Sequence, residues 1–247
     1  MILVDKRYSS FLIRYLRNLL RVIIILTCLS WISPQVCFGQ FQWNWRDPLD
    51  LNHFDWGDNK LLLYNSIGLG ATLTFSKRTP LDDKLHKPTQ LTGFVDVLRE
   101  YSRPPFSDVL IGRLRWVKPI RPFLRLGGDL SLYKVDDQEV NTEGIGAQIV
   151  FNWILINREK FKIVFDNGVG PNVFRQAFPL GGTQFNFSTF YGLVFQFNVQ
   201  TIGWVSIGAK NLHISNAGIA GVDRNPALDA WGLTIGCLLY TSDAADE

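Results

Sequence analysis

The chain has 247 residues, a formal net charge of +3 at pH 7, 18 Phe, 8 Trp and 21 Gly. So small a net charge gives no electrostatic basis for nucleic acid binding, which depends on clusters of Lys and Arg. The three cysteines are Cys28, Cys37 and Cys237, outside the stretch that we interpret below as the folded domain. Disulfides and thiol chemistry are therefore excluded from that domain, and its length suffices for one fold unit.

Residues 1–40 have the order of segments that is typical of a secretory signal peptide. Basic residues up to Arg21 precede an apolar stretch from Val22 to Ile32, and small residues follow it around Gly39. A transmembrane anchor is the alternative, but the apolar stretch is shorter than the roughly 20 residues that a spanning helix needs. We therefore expect an exported protein.

The other end of the chain has a different composition. Residues 237–247, CLLYTSDAADE, resemble the translation of an adapter used in sequencing libraries. On that interpretation the natural protein continues past Gly236 and its last strand is truncated here. A short acidic tail is the alternative.

Alternation of apolar and small polar residues dominates the chain from residue 61 onwards. This period of two predicts β-strands with two different faces. Nine segments alternate in this way, near residues 61–76, 91–101, 107–118, 121–135, 143–157, 161–170, 184–200, 202–216 and 229–236. Closed bacterial barrels of one chain have even strand numbers, so we expect eight strands, with 91–101 the least regular segment. Residues 41–60 have no steady period and form an irregular lead-in.

The chemistry of the two faces favours a membrane over water. A soluble β-sandwich or a lipocalin-like barrel would alternate equally, but its outer face would carry more Lys and Glu. Here the apolar faces are long enough for a spanning strand, and the opposite faces are small and polar. The few charges on them, Arg125, Asp129, Lys162 and Asp166, have both signs and are expected to pair inside a lumen. We predict an all-β, antiparallel transmembrane β-barrel over residues 61–236.

Three polar residues interrupt the apolar face at one hairpin. His213 and Ser215 are two apart on a strand and point the same way, and Asp229 begins the next strand on the same face. An imidazole can activate a serine hydroxyl, and a carboxylate can orient that imidazole. Polar groups on an apolar belt are costly, so the cluster calls for an explanation, and catalysis is one. The alternative is that these residues belong to a loop at the edge of the sheet, where His, Ser and Asp are all common.

Candidate oxyanion donors lie in the loop between these strands. Asn216 follows the serine and Asn225 precedes the acid, and either could donate from its side chain or backbone. The other histidines, His53 and His86, lie in irregular sequence, and we identify no metal site.

The hairpin also resembles a known family. His213-Ile214-Ser215-Asn216-Ala217-Gly218, followed by Asn225-Pro226-Ala227-Leu228-Asp229, is similar to the active-site hairpin of the PagL-type lipid A 3-O-deacylases, eight-stranded barrels of the bacterial outer membrane. The resemblance implies His213 as base, Ser215 as nucleophile, Asp229 as the third member and Asn225 near the oxyanion. It also implies lipid A, within lipopolysaccharide, as substrate, surrounding outer-membrane lipids as partners, and no cofactor.

Two departures and two rival functions remain. The family's acid is typically Glu rather than Asp, and the loop from Ile219 to Asn225 is longer here. A non-catalytic structural or adhesive barrel and a phospholipid acyl hydrolase both fit the same strand pattern. The sequence also leaves open whether the barrel forms a homodimer.

Overall fold

Eight antiparallel strands close into one barrel in the computed structural model. It describes residues 89–102, 104, 106–136, 141–200, 203–221 and 224–241. Each strand pairs with its neighbours in the chain, and β1 pairs with β8 to complete the ring. The strands are β1 (Gln90–Glu100), β2 (Asp108–Arg121), β3 (Leu124–Asp136), β4 (Thr142–Asn157), β5 (Phe161–Phe174), β6 (Phe185–Val199), β7 (Gly203–Ser215) and β8 (Leu228–Thr241). In this described part, no helix has the length and apolarity to cross a bilayer.

The predicted eight-stranded antiparallel barrel is confirmed, and eight of the nine predicted segments correspond to its strands. The ninth, 61–76, lies outside the described residues, as do the predicted signal peptide and the predicted lead-in at 41–60. The sequence placed the end of the last strand at Gly236, whereas β8 continues to Thr241 and pairs there with Gln90. Alternation fades after Gly236, but backbone pairing with β1 continues to Thr241, the last residue that the structure describes.

The least regular predicted segment is β1, and its inner face explains the weak pattern. Phe94 and Leu98 are buried and point inward beside Asp96, while Val97 and Arg99 are exposed. Side chains of this strand still alternate between the inside and the outside of the barrel. Because both faces carry apolar residues, the sequence does not alternate between polar and apolar.

The outer surface of the barrel is apolar, as the sequence predicts. Strands of 11 to 16 residues are long enough for the roughly 9–11 residues of a tilted membrane-spanning strand. The outward aliphatic side chains include Val97, Leu114, Leu130, Ile145, Ile149, Leu193, Ile207, Leu233 and Ile235. Exposed aromatic residues lie towards both rims, with Tyr101, Phe106 and Trp231 at one and Trp116, Phe123 and Phe197 at the other. Such paired aromatic belts are typical of outer-membrane barrels.

The lumen is filled by a network of buried ion pairs, which we call the lumen ion cluster: Asp96, Arg113, Arg115, Asp129, Asp166 and Lys210. Arg113 donates to Asp129 Oδ2 at 2.7 Å and to Asp96 Oδ1 at 2.9 Å. Arg115 bridges Asp129 at 2.7 Å and Asp166 at 2.8 Å, and Lys210 binds Asp96 at 2.6 Å. Three cations thus face three carboxylates, so the cluster is formally neutral.

The expected pairing inside the lumen is only partly right. Asp129 and Asp166 do form ion pairs, but with Arg113 and Arg115 and not with Arg125 or Lys162. The register explains the difference, because Arg115 lies directly across from Asp129 in the β2–β3 pair. Spacing along one strand cannot reveal which residue of the next strand is its partner.

Loops at the two rims of the barrel differ in length. At the rim where β1 begins and β8 ends, the strands are joined by the short connections 122–123, 158–160 and 200–202. The opposite rim has the longer connections 101–107, 137–141, 175–184 and 216–227. Outer-membrane barrels have short turns on the periplasmic side and longer loops outside, so the rim of long loops corresponds to the outer one.

Replacing Arg113 with Met is expected to lower the free energy of unfolding by about 3 kcal/mol, because Asp96 and Asp129 each lose a buried cationic partner. Denaturant titration of the barrel in detergent micelles measures this change. Arg99→Met is the matched control, since Arg99 is exposed and contacts Asp108 only at 3.9 Å. A loss below about 1 kcal/mol, the range of surface pairs, would contradict a stabilising role for the cluster.

Candidate active site

Strand pairing brings together the three polar residues that the sequence singled out. His213 of β7 and Asp229 of β8 are direct cross-strand partners. Ser215 follows His213 by two residues and therefore lies on the same face of the sheet. Their neighbours on that face, Ile207 and Trp231, are exposed on the outside of the barrel. The three groups thus meet on the outer surface, at the rim of long loops.

The side chains form a continuous hydrogen-bonded chain. His213 Nδ1 lies 2.8 Å from Asp229 Oδ1, and His213 Nε2 lies 3.0 Å from Ser215 Oγ. An ionised carboxylate can only accept, so it fixes the imidazole proton on Nδ1. Nε2 is then free to accept the proton of the serine hydroxyl. This is the relative arrangement of nucleophile, base and orienting acid that acyl transfer requires.

Exposure differs along this chain of three groups. The side chains of His213 and Asp229 are 26% and 33% exposed. Ser215 is only 4% exposed, and the following residues Ala217 and Ile219 are buried too. The hydroxyl is therefore partly protected from bulk solvent, whereas the imidazole and carboxylate border the outer surface.

Loop 216–227 turns sharply after the serine. Ala217 has φ 55°, and Gly218 and Gly221 have φ 76° and 93°. A non-glycine residue in the left-handed region is strained and persists where surrounding contacts hold it. Here Asn216 Oδ1 accepts from the Gly218 N–H at 3.0 Å, which stabilises the turn.

The two predicted oxyanion donors have different surroundings. Asn216 uses its amide within the loop, since Oδ1 accepts from Gly218 and Nδ2 donates to the Arg224 carbonyl. Asn225 Oδ1 accepts from the backbone N–H of Asn216 at 3.0 Å. This bond orients the Asn225 amide beside the serine turn and leaves its Nδ2 as a donor. Asn216 thus builds the loop, while Asn225 is the better candidate to donate to a substrate.

Sequence reasoning missed the segment that supports the acid. The β1–β2 loop contacts the start of β8, where the Tyr101 N–H donates to the Asp229 carbonyl at 3.0 Å. The loop is organised around buried Glu100, which accepts from Ser102 Oγ at 3.0 Å and from Ser107 Oγ at 2.7 Å. These contacts arise because β1 and β8 close the barrel, and nothing local in the sequence indicates that pairing.

The described residues were also considered as possible metal ligands. Among the residues that the structure describes, no three His, Cys, Asp or Glu side chains form a group that could hold a metal ion. His53 and His86 lie outside those residues.

Part of the chain is similar to a known family of proteins. The family model described as lipid A 3-O-deacylase (PagL) matches residues 152–237, a range that contains His213, Ser215, Asn216, Asn225 and Asp229. A solved structure entitled "Crystal structure of the outer membrane enzyme PagL" is 17% identical, with a TM-score of 0.48 over 60% of this chain and 98% of that chain. No curated protein sequence matches the chain. The family match confirms the resemblance to the PagL-type lipid A 3-O-deacylases that the hairpin predicts.

Proposed function

We propose that the protein is an outer-membrane esterase that removes the 3-O-linked acyl chain of lipid A. The observation that carries this proposal is the hydrogen-bonded chain of Asp229, His213 and Ser215 on the outer face of a closed barrel. The family match over residues 152–237 supports the substrate class.

In the proposed mechanism, Ser215 Oγ attacks the ester carbonyl while His213 Nε2 takes the hydroxyl proton. The imidazolium then gives this proton to the departing sugar oxygen, which leaves an acyl-serine and a free 3-hydroxyl. Water, deprotonated by the same imidazole, releases the fatty acid and restores the serine. Asp229 keeps Nδ1 protonated and stabilises the positive charge on His213 during both steps. Asn225 Nδ2 donates to the oxyanion.

The location of the site suits a substrate that is itself a membrane lipid. His213 and Asp229 open onto the same surface as Trp231 and Leu233, which would contact hydrocarbon. Lipid A can therefore approach sideways within the bilayer, without entering the lumen. With the long loops outside, this rim lies at the outer leaflet, where lipid A resides.

Ser215→Ala is expected to abolish release of the 3-O-linked chain, because no other hydroxyl is hydrogen-bonded to His213 Nε2 in the described part of the chain. Purified protein is incubated with lipid A in detergent, and the acylation pattern is read by mass spectrometry. Ser206→Ala is the matched control, since Ser206 lies on the same strand but faces the lumen. Retained deacylation by a folded Ser215→Ala barrel would rule out Ser215 as the nucleophile.

The same assay separates the alternative substrates. Parallel incubation with phospholipid tests whether the enzyme is a general acyl hydrolase. If fatty acid were released from phospholipid and not from lipid A, phospholipid would be the substrate and the proposed mechanism would still apply. No Ser215-dependent release from either lipid would favour a non-catalytic barrel.

Asp229→Asn is expected to lower kcat/KM by a factor on the order of 100 to 10,000, because the amide no longer fixes the proton on His213 Nδ1. The control is Asp108→Asn, which alters an exposed carboxylate at the same rim and should keep full activity. Lipid A turnover by both variants is compared at equal amounts of folded protein. Equal rates for Asp229→Asn and unchanged protein would remove Asp229 from the mechanism.

Two substitutions at Asn225 separate loop support from oxyanion binding. Asn225→Asp keeps an acceptor for the Asn216 N–H but removes the Nδ2 donor, whereas Asn225→Ala removes both. Loss of an oxyanion donor typically costs about 100- to 1000-fold in kcat, so we expect such a loss in both variants, with KM nearly unchanged for the aspartate. If Asn225→Asp turned over lipid A normally, the residue would have a structural role alone.

A further inference from the structure

The loop between β5 and β6, residues 175–184, packs against the loop that contains Asn225. Gly182 is buried at this contact. A side chain at position 182 would place its Cβ 2.9 Å from the Pro179 carbonyl oxygen and 3.1 Å from Pro226 Cγ. Both distances are shorter than ordinary van der Waals separations, so the absence of a side chain lets the Pro226 ring lie close to the β5–β6 loop.

Pro226 passes this contact on to Asn225, because the two residues are adjacent in the chain. The residue before a proline is restricted to extended conformations, since others clash with the proline ring. On its other side, Asn225 Oδ1 accepts from the Asn216 N–H at 3.0 Å. The Asn225 amide is therefore oriented by a hydrogen bond beside the serine turn and by the position of the following ring.

Hydrogen bonds anchor the β5–β6 loop in the barrel. Asn186, a buried residue of β6, donates from Nδ2 to the carbonyls of Phe178 at 2.7 Å and of Thr183 at 2.9 Å. The Gly182 N–H donates to the Pro179 carbonyl at 2.8 Å. Both arms of the loop are thus tied to one strand, and the turn that presents Gly182 is closed by its own backbone.

Apolar packing also fixes this loop relative to the candidate active site. Phe178 is fully buried, and the centre of its ring lies 5.1 Å from that of Phe174. Both belong to the buried apolar cluster that includes Ile214 and Leu228. These two residues are direct cross-strand partners on β7 and β8, next in sequence to the candidate catalytic groups. One core therefore supports the strands that carry those groups and the loop that faces Pro226.

We propose that Gly182 is a positioning residue for the candidate active site, which acts through Pro226 to hold the Asn225 amide where it donates to the oxyanion. This inference rests on the proposed function, and Gly182 itself does not contact the substrate. A catalytic group misplaced by about 1 Å can cost about 100-fold in rate. Displacement of Pro226 would therefore reduce the rate of the chemical step more than the binding of lipid A.

The first test is turnover of lipid A by the full-length Gly182→Val protein, folded in detergent. Gly182 lies outside the left-handed region, so the added side chain acts by crowding Pro226 and not by backbone strain. We expect kcat to fall about 10- to 100-fold, with KM changed by less than about threefold. The matched control is Gly146→Val, whose Cβ would lie 3.0 Å from Tyr133 Cε2 inside the lumen. It should lower stability and leave kcat unchanged.

The second test introduces Gly182→Val into the Asn225→Asp protein. Because the displaced donor is already absent there, the substitution should cost less than about threefold in kcat. An equal loss in both backgrounds would indicate a general disturbance and would overturn the proposal, as would full activity of a folded Gly182→Val barrel. Circular dichroism verifies folding, and Gly182→Ala replaces the valine variant if that protein does not fold.

Labelling of Ser215 by a fluorophosphonate, which requires an activated serine but no lipid A, separates this inference from the proposed function. We expect slower labelling of Gly182→Val than of unchanged protein. If unchanged protein neither labels at Ser215 nor turns over lipid A, the proposed function fails and this inference fails with it. If unchanged protein does both and Gly182→Val labels equally fast, only the role of Gly182 is refuted.

Discussion

Closure of the sheet by the β1–β8 pair is the constraint on which the rest of the structure depends. In hydrocarbon, an unpaired backbone N–H or carbonyl costs several kcal/mol, so a spanning sheet must have no free edge. Closure also determines which residues face one another. It sets the β1–β2 loop against the start of β8, where Tyr101 donates to the Asp229 carbonyl, and it sets Asp96 beside Thr234 and Lys210 inside the lumen. The candidate active site and the lumen ion cluster are therefore both consequences of one ring of backbone hydrogen bonds.

Register has an equally direct effect on the site. A slip of one residue between β7 and β8 would move every side chain of one strand to the opposite face. His213 would then lose Asp229 as its partner, and apolar residues such as Trp231 would face the charged lumen. The burial of Lys210 and Thr234 inside and the exposure of Ile207 and Leu233 outside oppose such a slip. The same pattern that stabilises the barrel in lipid therefore keeps the imidazole opposite the carboxylate.

Much of the fold and of the candidate site could be predicted from the sequence, because period-two alternation indicates for each residue which face of the sheet its side chain is on. It predicted the strands, the apolar outer face and the common face of His213, Ser215 and Asp229. Contacts between distant strands were not accessible in this way. The roles of Arg113 and Arg115 and the support of Asp229 by the β1–β2 loop both depend on cross-strand register and on closure. The strand that closes the ring, β1, was also the hardest to identify, since Phe94 and Leu98 make its inner face apolar.

The short acid at position 229 becomes understandable from the same geometry. The PagL-type family typically has Glu at this position. The shorter Asp side chain could not reach the imidazole if His213 were offset from position 229 by one residue along the strand. Here His213 and Asp229 are direct cross-strand partners, so an aspartate reaches Nδ1 at 2.8 Å. Depth matters as well, because charged groups on the lipid face cost about 2–4 kcal/mol at the bilayer midplane but only about 0–1 kcal/mol near its surface. A carboxylate and an imidazole at the rim are therefore much less costly than they would be in the middle of the apolar belt.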